Sequence, residues 1–139
     1  MSSIVQTQTT SFKKELYQAV HNLSTNTLKI ALYTAAADLN QATTVYSSTN
    51  EVVASGYTAG GQVMTGVTIS SDGYTAYVNW ANVSWTTAVT ARCALIYNVT
   101  QGNKSVAVLD FGADKTSTTT FLITMPANTS TAALIRSSN

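Results

Sequence analysis

The feature that most constrains this chain is a change in apolar periodicity. One short N-terminal stretch repeats at helical spacing, and from Gln62 onward nearly every apolar run alternates with a period of two, the spacing of half-buried strands. Val63, Thr65, Val67 and Ile69 share one face, Ser71-Asp72-Gly73 supplies a turn, and Thr75 to Trp80 returns, which predicts a hairpin. Val83 to Thr86 reads as a short further strand. In Val89 to Tyr97, the residues Ala91, Cys93, Leu95 and Tyr97 fall on one side, with Arg92 on the other among Thr90, Ala94 and Ile96. Gln101-Gly102-Asn103 turns the chain into Ser105 to Phe111, apolar on both faces and so expected at a central position of a sheet. Thr119 to Met125 and Ala132 to Arg136, separated by Pro126-Ala127-Asn128, complete the set.

Upstream, Phe12, Leu16, Ala19/Val20 and Leu23 make an apolar stripe at helical spacing, with Ser11 as N-cap and Asn22 to Asn26 as the stop. Leu28, Ile30 and Leu32 alternate with Lys29, Ala31 and Tyr33, a strand with one face buried. Residues 35–50 fit a short helical turn or a long surface loop equally. Gly56-Tyr57-Thr58-Ala59-Gly60-Gly61 is a loop. Residues 1–10 show no apolar periodicity and read as an extended arm. The expected fold is therefore mainly β. A single β-sandwich or barrel-like domain of about seven or eight strands with one N-terminal helix, residues 11–139, follows the arm, residues 1–10.

Composition excludes several classes of function. Only 9% of the 139 residues are charged, against about 25% in ordinary soluble domains, while Thr (24), Ser (15) and Asn (10) supply the polarity. The seven cations, Lys13, Lys14, Lys29, Arg92, Lys104, Lys115 and Arg136, form no stripe able to neutralise a row of phosphates, so no nucleic-acid partner is expected. No apolar run approaches the roughly 20 residues that span a bilayer, and Met1 to Ser11 lack the basic and apolar regions of a secretion signal. Neither a membrane partner nor export is expected.

The candidates for chemistry are few. His21 is the only histidine and is expected on the helix surface or at its C-terminal cap. Asp110 and Asp114, across Phe111-Gly112-Ala113, are the densest acidic pair, which reads as a turn with an Asp bonding nearby backbone amides. Asp72-Gly73 is likewise a turn and lacks the other ligands of a calcium loop. Cys93, alone on the apolar side of a strand, reads as a small buried filler, and no disulfide or multi-Cys metal site can form. The Gly56–Gly61 stretch lacks the Gly-Lys-Ser/Thr ending of a phosphate loop. Trp80, Trp85, Tyr74, Tyr77, Tyr57 and Tyr97 would make a sugar-binding platform if exposed together, but alternating aromatics in a β domain more often fill the core. Sequons at Asn22, Asn82, Asn98, Asn103 and Asn128 follow from the abundance of Asn, Ser and Thr. No catalytic, cofactor-binding or metal-binding residue is assigned, and no cofactor is expected.

Phe12-Lys13-Lys14-Glu15-Leu16, His21-Asn22-Leu23 and Leu28-Lys29-Ile30-Ala31-Leu32-Tyr33-Thr34 resemble a group of small structural proteins of tailed-bacteriophage virions. The likeness continues through Gly56–Gln62, Thr75-Ala76-Tyr77-Val78, Ala94-Leu95-Ile96-Tyr97-Asn98, Val106–Gly112 and Ala133-Leu134-Ile135-Arg136, spanning residues 11 to 136. The resemblance implies a non-enzymatic virion component, made in the bacterial host cytoplasm, and within the virion the expected role is capsid decoration, as a cement protein on the capsid surface. For that role the expected partners are the major capsid protein and further copies of itself, with a homotrimer favoured because closed symmetric oligomers are common and a trimer fits local threefold positions. A tail, neck or fibre component, with a receptor- or glycan-binding role, is the alternative. The family brings no catalytic residues, and a small residue is usual where this chain has Cys93.

Overall fold

The computed structural model describes residues 3–138. As expected, these residues are mainly β, with one helix among them and the strands joined by long loops. In chain order the elements are β1 (Thr7–Gln8), α1 (Thr10–Tyr17), β2 (Leu28–Tyr33), β3 (Gln62–Val63), β4 (Thr68–Asp72) and β5 (Thr75–Asn79). They continue as β6 (Val83–Trp85), β7 (Thr90–Asn98), β8 (Lys104–Thr116), β9 (Phe121–Ile123) and β10 (Ile135–Ser137). Every strand pairing is antiparallel. The main sheet runs β1-β8-β7-β2-β3, a second runs β10-β5-β4, and β6 pairs with β9. The main sheet ends at β1 and β3 without closing, so the layers stack as a sandwich and no barrel forms.

Thr9 starts the helix. Its backbone is extended (φ −71°, ψ 149°) and its Oγ1 accepts the Phe12 N–H at 3.3 Å, satisfying an orphan donor. The cap thus falls at Thr9, while the expected cap, Ser11, turns its hydroxyl toward Ser105 and the Thr43 carbonyl. The helix also stops at Tyr17, short of the expected Asn22. Ala19 takes a left-handed conformation (φ 59°), the Val20 N–H returns to the Glu15 carbonyl and the Ala19 N–H to that of Leu16, a Schellman ending. The reversal delivers Leu23 to the same core as Phe12, so a turn satisfies spacing that imitates a longer helix.

The Val63–Ile69 alternation is likewise divided. Gly66 at φ 67°, with Ala81 lying 3.0 Å from where its Cβ would stand, steps the chain out of the main sheet after β3 and into the second sheet at β4. The hairpin that follows forms as expected, one residue later: Gly73-Tyr74 make the loop, closed by the Asp72–Thr75 pair, with Gly73 at φ 59° in the type II′ pattern. β8 continues to Thr116 through the stretch where the sequence pointed to a turn. A bulge takes up the extra residues, since Cys93 pairs with Asp110 but Ala91 with Lys115.

The main sheet is buried on both faces. On one, Leu28, Ile30, Leu32, Ala94, Ile96 and Val106 meet Trp85, Phe121 and Ile123 of the smaller sheets, Trp80 between β5 and β6, and Phe12 of the helix. On the other, Ala31, Tyr33, Cys93, Leu95, Tyr97 and Val108 meet Ala37, Leu39 and Tyr46. Residues 35–50 are therefore a long loop laid over the sheet, and β2 is buried on both sides where its alternation indicated one. Residues 3–9 run along the domain itself: Thr7 pairs with Val108, Gln8 with Ala107, and Ile4 bridges Leu39. Of the arm, Met1 and Ser2 lie outside the described residues.

Candidate functional site

Two buried polar centres hold the groups with the greatest chemical capacity. The first surrounds Glu51, which bridges to Tyr33 at the end of β2. Its Oε1 accepts the Tyr46 hydroxyl at 2.6 Å, and its Oε2 accepts the Tyr57 hydroxyl at 2.6 Å and the Gly60 N–H at 2.8 Å. The Tyr57 oxygen in turn accepts the Leu32 N–H of β2 at 2.8 Å. Tyr97 stacks on Tyr46 at 4.6 Å and donates to the Gly60 carbonyl at 2.6 Å, and Tyr33 donates to the Ser47 carbonyl at 2.7 Å. One carboxylate and four phenols therefore lash residues 46–51 and 57–61 onto β2 and β7. Burial, with the Glu51 carboxylate adding to it, pushes the Tyr97 phenol up to about 12 and raises Tyr33, Tyr46 and Tyr57 further. The glycine-rich loop is part of this lashing. A Cβ on Gly61 would stand 1.8 Å from the Ile30 carbonyl oxygen, so the loop reaches β2 only because that residue has none.

The second centre corrects the expected place of His21. Its side chain is fully buried, with Nε2 2.8 Å from Glu15 Oε1 and Nδ1 2.9 Å from Asn98 Nδ2. The amide nitrogen can only donate, which assigns Nδ1 as acceptor and Nε2–H as the donor to Glu15. Asn98 also donates to Asn26 Oδ1 at 2.9 Å and accepts the Gln101 N–H at 3.3 Å. His21 lies inside because the chain reverses at Ala19 and folds the ring back over Phe12, 5.0 Å away. Glu15 and His21 resemble two members of a catalytic triad, but the remaining ring nitrogen faces an amide and has no hydroxyl or thiol to activate.

Cys93 is fully buried, and burial pushes its thiol up to about 12. The register shift between Ala91 and Cys93 breaks the simple alternation: Ala91 packs with Ala94 and Ile96, while Cys93 packs with Leu95 and Tyr97 on the other face. At this shift the Arg92 guanidinium donates to the carboxylate of Asp110, the residue paired with Cys93. The Gly112 N–H, donating at 2.8 Å, and Arg92 hold the Asp110 carboxyl below the usual carboxylate range. Asp114 stays exposed, so the two acids are not brought together as a site. Among the described residues no His, Cys, Asp and Glu side chains cluster in a way that would hold a metal ion.

The aromatic platform is not assembled. Trp80, Trp85, Tyr57 and Tyr97 are buried, Trp85 packing edge-on to Phe121 at 6.2 Å, while Tyr77 is half-buried and Tyr74 stands alone, 95% exposed. What the surface offers instead is hydroxyl groups and scattered apolar side chains, with Tyr17, Val53 and Leu122 among the exposed ones. A hollow of about 390 Å³ edged by Val53 is lined by Thr34, Val52, Val89, Thr90 and Ser117 among others, with no titratable side chain. Sequence reasoning missed the Glu51 centre because Tyr46, Glu51, Tyr57 and Tyr97 share no spacing. The available signal was a lone Glu placed against Val52-Val53 in a chain poor in charge.

Fold and sites together define an antiparallel β-sandwich whose reactive groups bind its own loops. No family model, curated protein or solved structure matches the chain.

Proposed function

We propose that this chain is a non-enzymatic structural protein of a tailed-bacteriophage virion, covering the outer capsid surface in many copies and bridging neighbouring subunits of the major capsid protein. One observation carries the reading. The side chains best suited to moving protons or attacking a substrate, His21, Glu51 and Cys93, are buried in internal hydrogen bonds or packing, whereas isolated apolar side chains and a skin of hydroxyls face outward. The resemblance of residues 11 to 136 to phage virion proteins supports the virion part of this reading.

The mechanism is mechanical. Each bridging contact adds interface, of the order of 800 Å² per partner for a stable association, that shell expansion or packaged DNA must break before subunits separate. The test is the stoichiometry of the protein in purified particles, measured by quantitative mass spectrometry, with its position read from a cryo-EM map. Copies comparable in number to the major capsid protein, on the outer shell, are the expected result. A few copies at the tail, neck or fibres would replace this reading with the alternative, and absence from particles would remove both.

A further inference from the structure

The second sheet ends on β4, and this edge differs from those of the main sheet. β1 and β3 are two residues long, and beyond the stretch covered by β1 the outer edge of β8 is broken by the Gly112 bulge and carries Asp114 and Lys115, features that discourage further pairing. β4, Thr-Ile-Ser-Ser-Asp, has no bulge, proline or cation, and all five residues are exposed. Its ladder with β5 is regular from the two-residue loop onward. Counting from the closing pair Asp72–Thr75, Ser70 and Thr68 bond to β5, so the N–H and C=O groups of Ile69 and Ser71 point away from it, unpaired. Ile69 itself is 53% exposed.

From this geometry we infer that β4 is a self-association edge, pairing antiparallel with β4 of a second copy about a twofold axis through Ser70. This goes beyond the proposed function and does not rest on it. In this register Ile69 and Ser71 of each copy face Ser71 and Ile69 of the other, and each such pair exchanges both N–H···O=C bonds. Charge is compatible: Asp72 meets the Thr68 hydroxyl of the second copy, and no like charges oppose. The same register carries Tyr74, exposed at the hairpin tip, alongside Gly66 and Val67 of the second copy. The result is one continuous sheet, β10-β5-β4 joined to β4-β5-β10, in which the β4 edge of each copy is consumed. The contact is twofold, unlike the homotrimer expected for a capsid decoration role.

Sedimentation of the full chain across a concentration series tests it. The unmodified protein is expected to reach the mass of a dimer. Ile69→Lys and Ser71→Pro, which load or delete the outward edge while leaving the bonds to β5 in place, are each expected to return the mass to that of a monomer with unchanged circular dichroism. A monomer at every concentration, a trimer, or a dimer that survives both substitutions would overturn the inference. Should either variant fail to fold, amide exchange of the unmodified protein decides: Ile69 and Ser71 amides gain protection as concentration rises, and fast exchange throughout overturns the inference.

Discussion

At Glu51 a buried carboxylate receives Tyr46, Tyr57 and the Gly60 amide at once, so deleting it leaves three donors facing a cavity. Glu51→Ala is expected to cost about 3–5 kcal/mol in urea denaturation, because the donors lose a charged acceptor and gain no water. Glu51→Gln should cost far less, about 1 kcal/mol, since its oxygen still accepts Tyr57 and Gly60 while the Tyr46 hydroxyl rotates to accept from the amide. Equal losses for the two variants would contradict this account. The phenols give a pH dependence. Folding raises all four tyrosines, so the native state holds their protons more tightly than the unfolded chain. Their contribution to stability is whole below the ordinary tyrosine value of about 10 and falls as pH rises from there through about 12. Urea midpoints measured from pH 8 to pH 12 should hold steady and then drop steeply above about pH 10, whereas a flat profile to pH 12 would refute it. Cys93 was legible in the sequence because its side of the strand is apolar throughout. His21 was not, because its burial depends on the backbone two residues earlier.

Among the elements, α1 shows why a boundary can be invisible in sequence. Schellman endings usually carry glycine at the left-handed position, and here it is Ala19, so the stop signal is missing while the apolar spacing runs on to Leu23. A non-glycine residue held left-handed costs about 1 kcal/mol. Ala19→Gly is therefore expected to stabilise the protein by about 1 kcal/mol, read as a higher midpoint of thermal or urea unfolding with α1 intact by circular dichroism. Destabilisation by the same amount would mean that the strain is absorbed elsewhere. The strands were legible wherever alternation and turn residues agreed, as in the β4–β5 hairpin and in β7. They were not where a glycine redirects the chain without disturbing the alternation, as Gly66 does between β3 and β4. Residues 35–50 were ambiguous for another reason: Ala37, Leu39 and Tyr46 cover the second face of the main sheet as separate anchors, and separate anchors have no period.

For the molecule as a whole, the 9% charge sets how the surface can hold a partner. Seven cations against six acids give a formal net charge of +1, and Glu15 and Asp110 are already engaged internally by His21 and Arg92. Few charges are left to attract a shell electrostatically. Under the proposed role, attachment to a shell then rests on apolar contact and on hydrogen bonds between neutral groups, and neither weakens much when charges are screened. A low net charge also lets copies sit side by side with little mutual repulsion, as the proposed dense coverage of a shell would require. Raising salt from about 0.1 to about 1 M shortens the Debye length from about 10 to about 3 Å, enough to dissociate contacts that depend on separated charges. Particles carrying the protein, pelleted across that range, are expected to retain it undiminished, with occupancy measured against the major capsid protein on the same gel. Release by moderate salt would show that Lys13, Lys14 and Arg136, or the other exposed charges, hold it in place, and the apolar surface would then have to be assigned to something other than attachment. Sodium sulfate sharpens the comparison, because it screens charge while strengthening apolar burial. Binding through neutral contacts should tighten in sulfate, whereas binding through charge should fail there as it does in chloride.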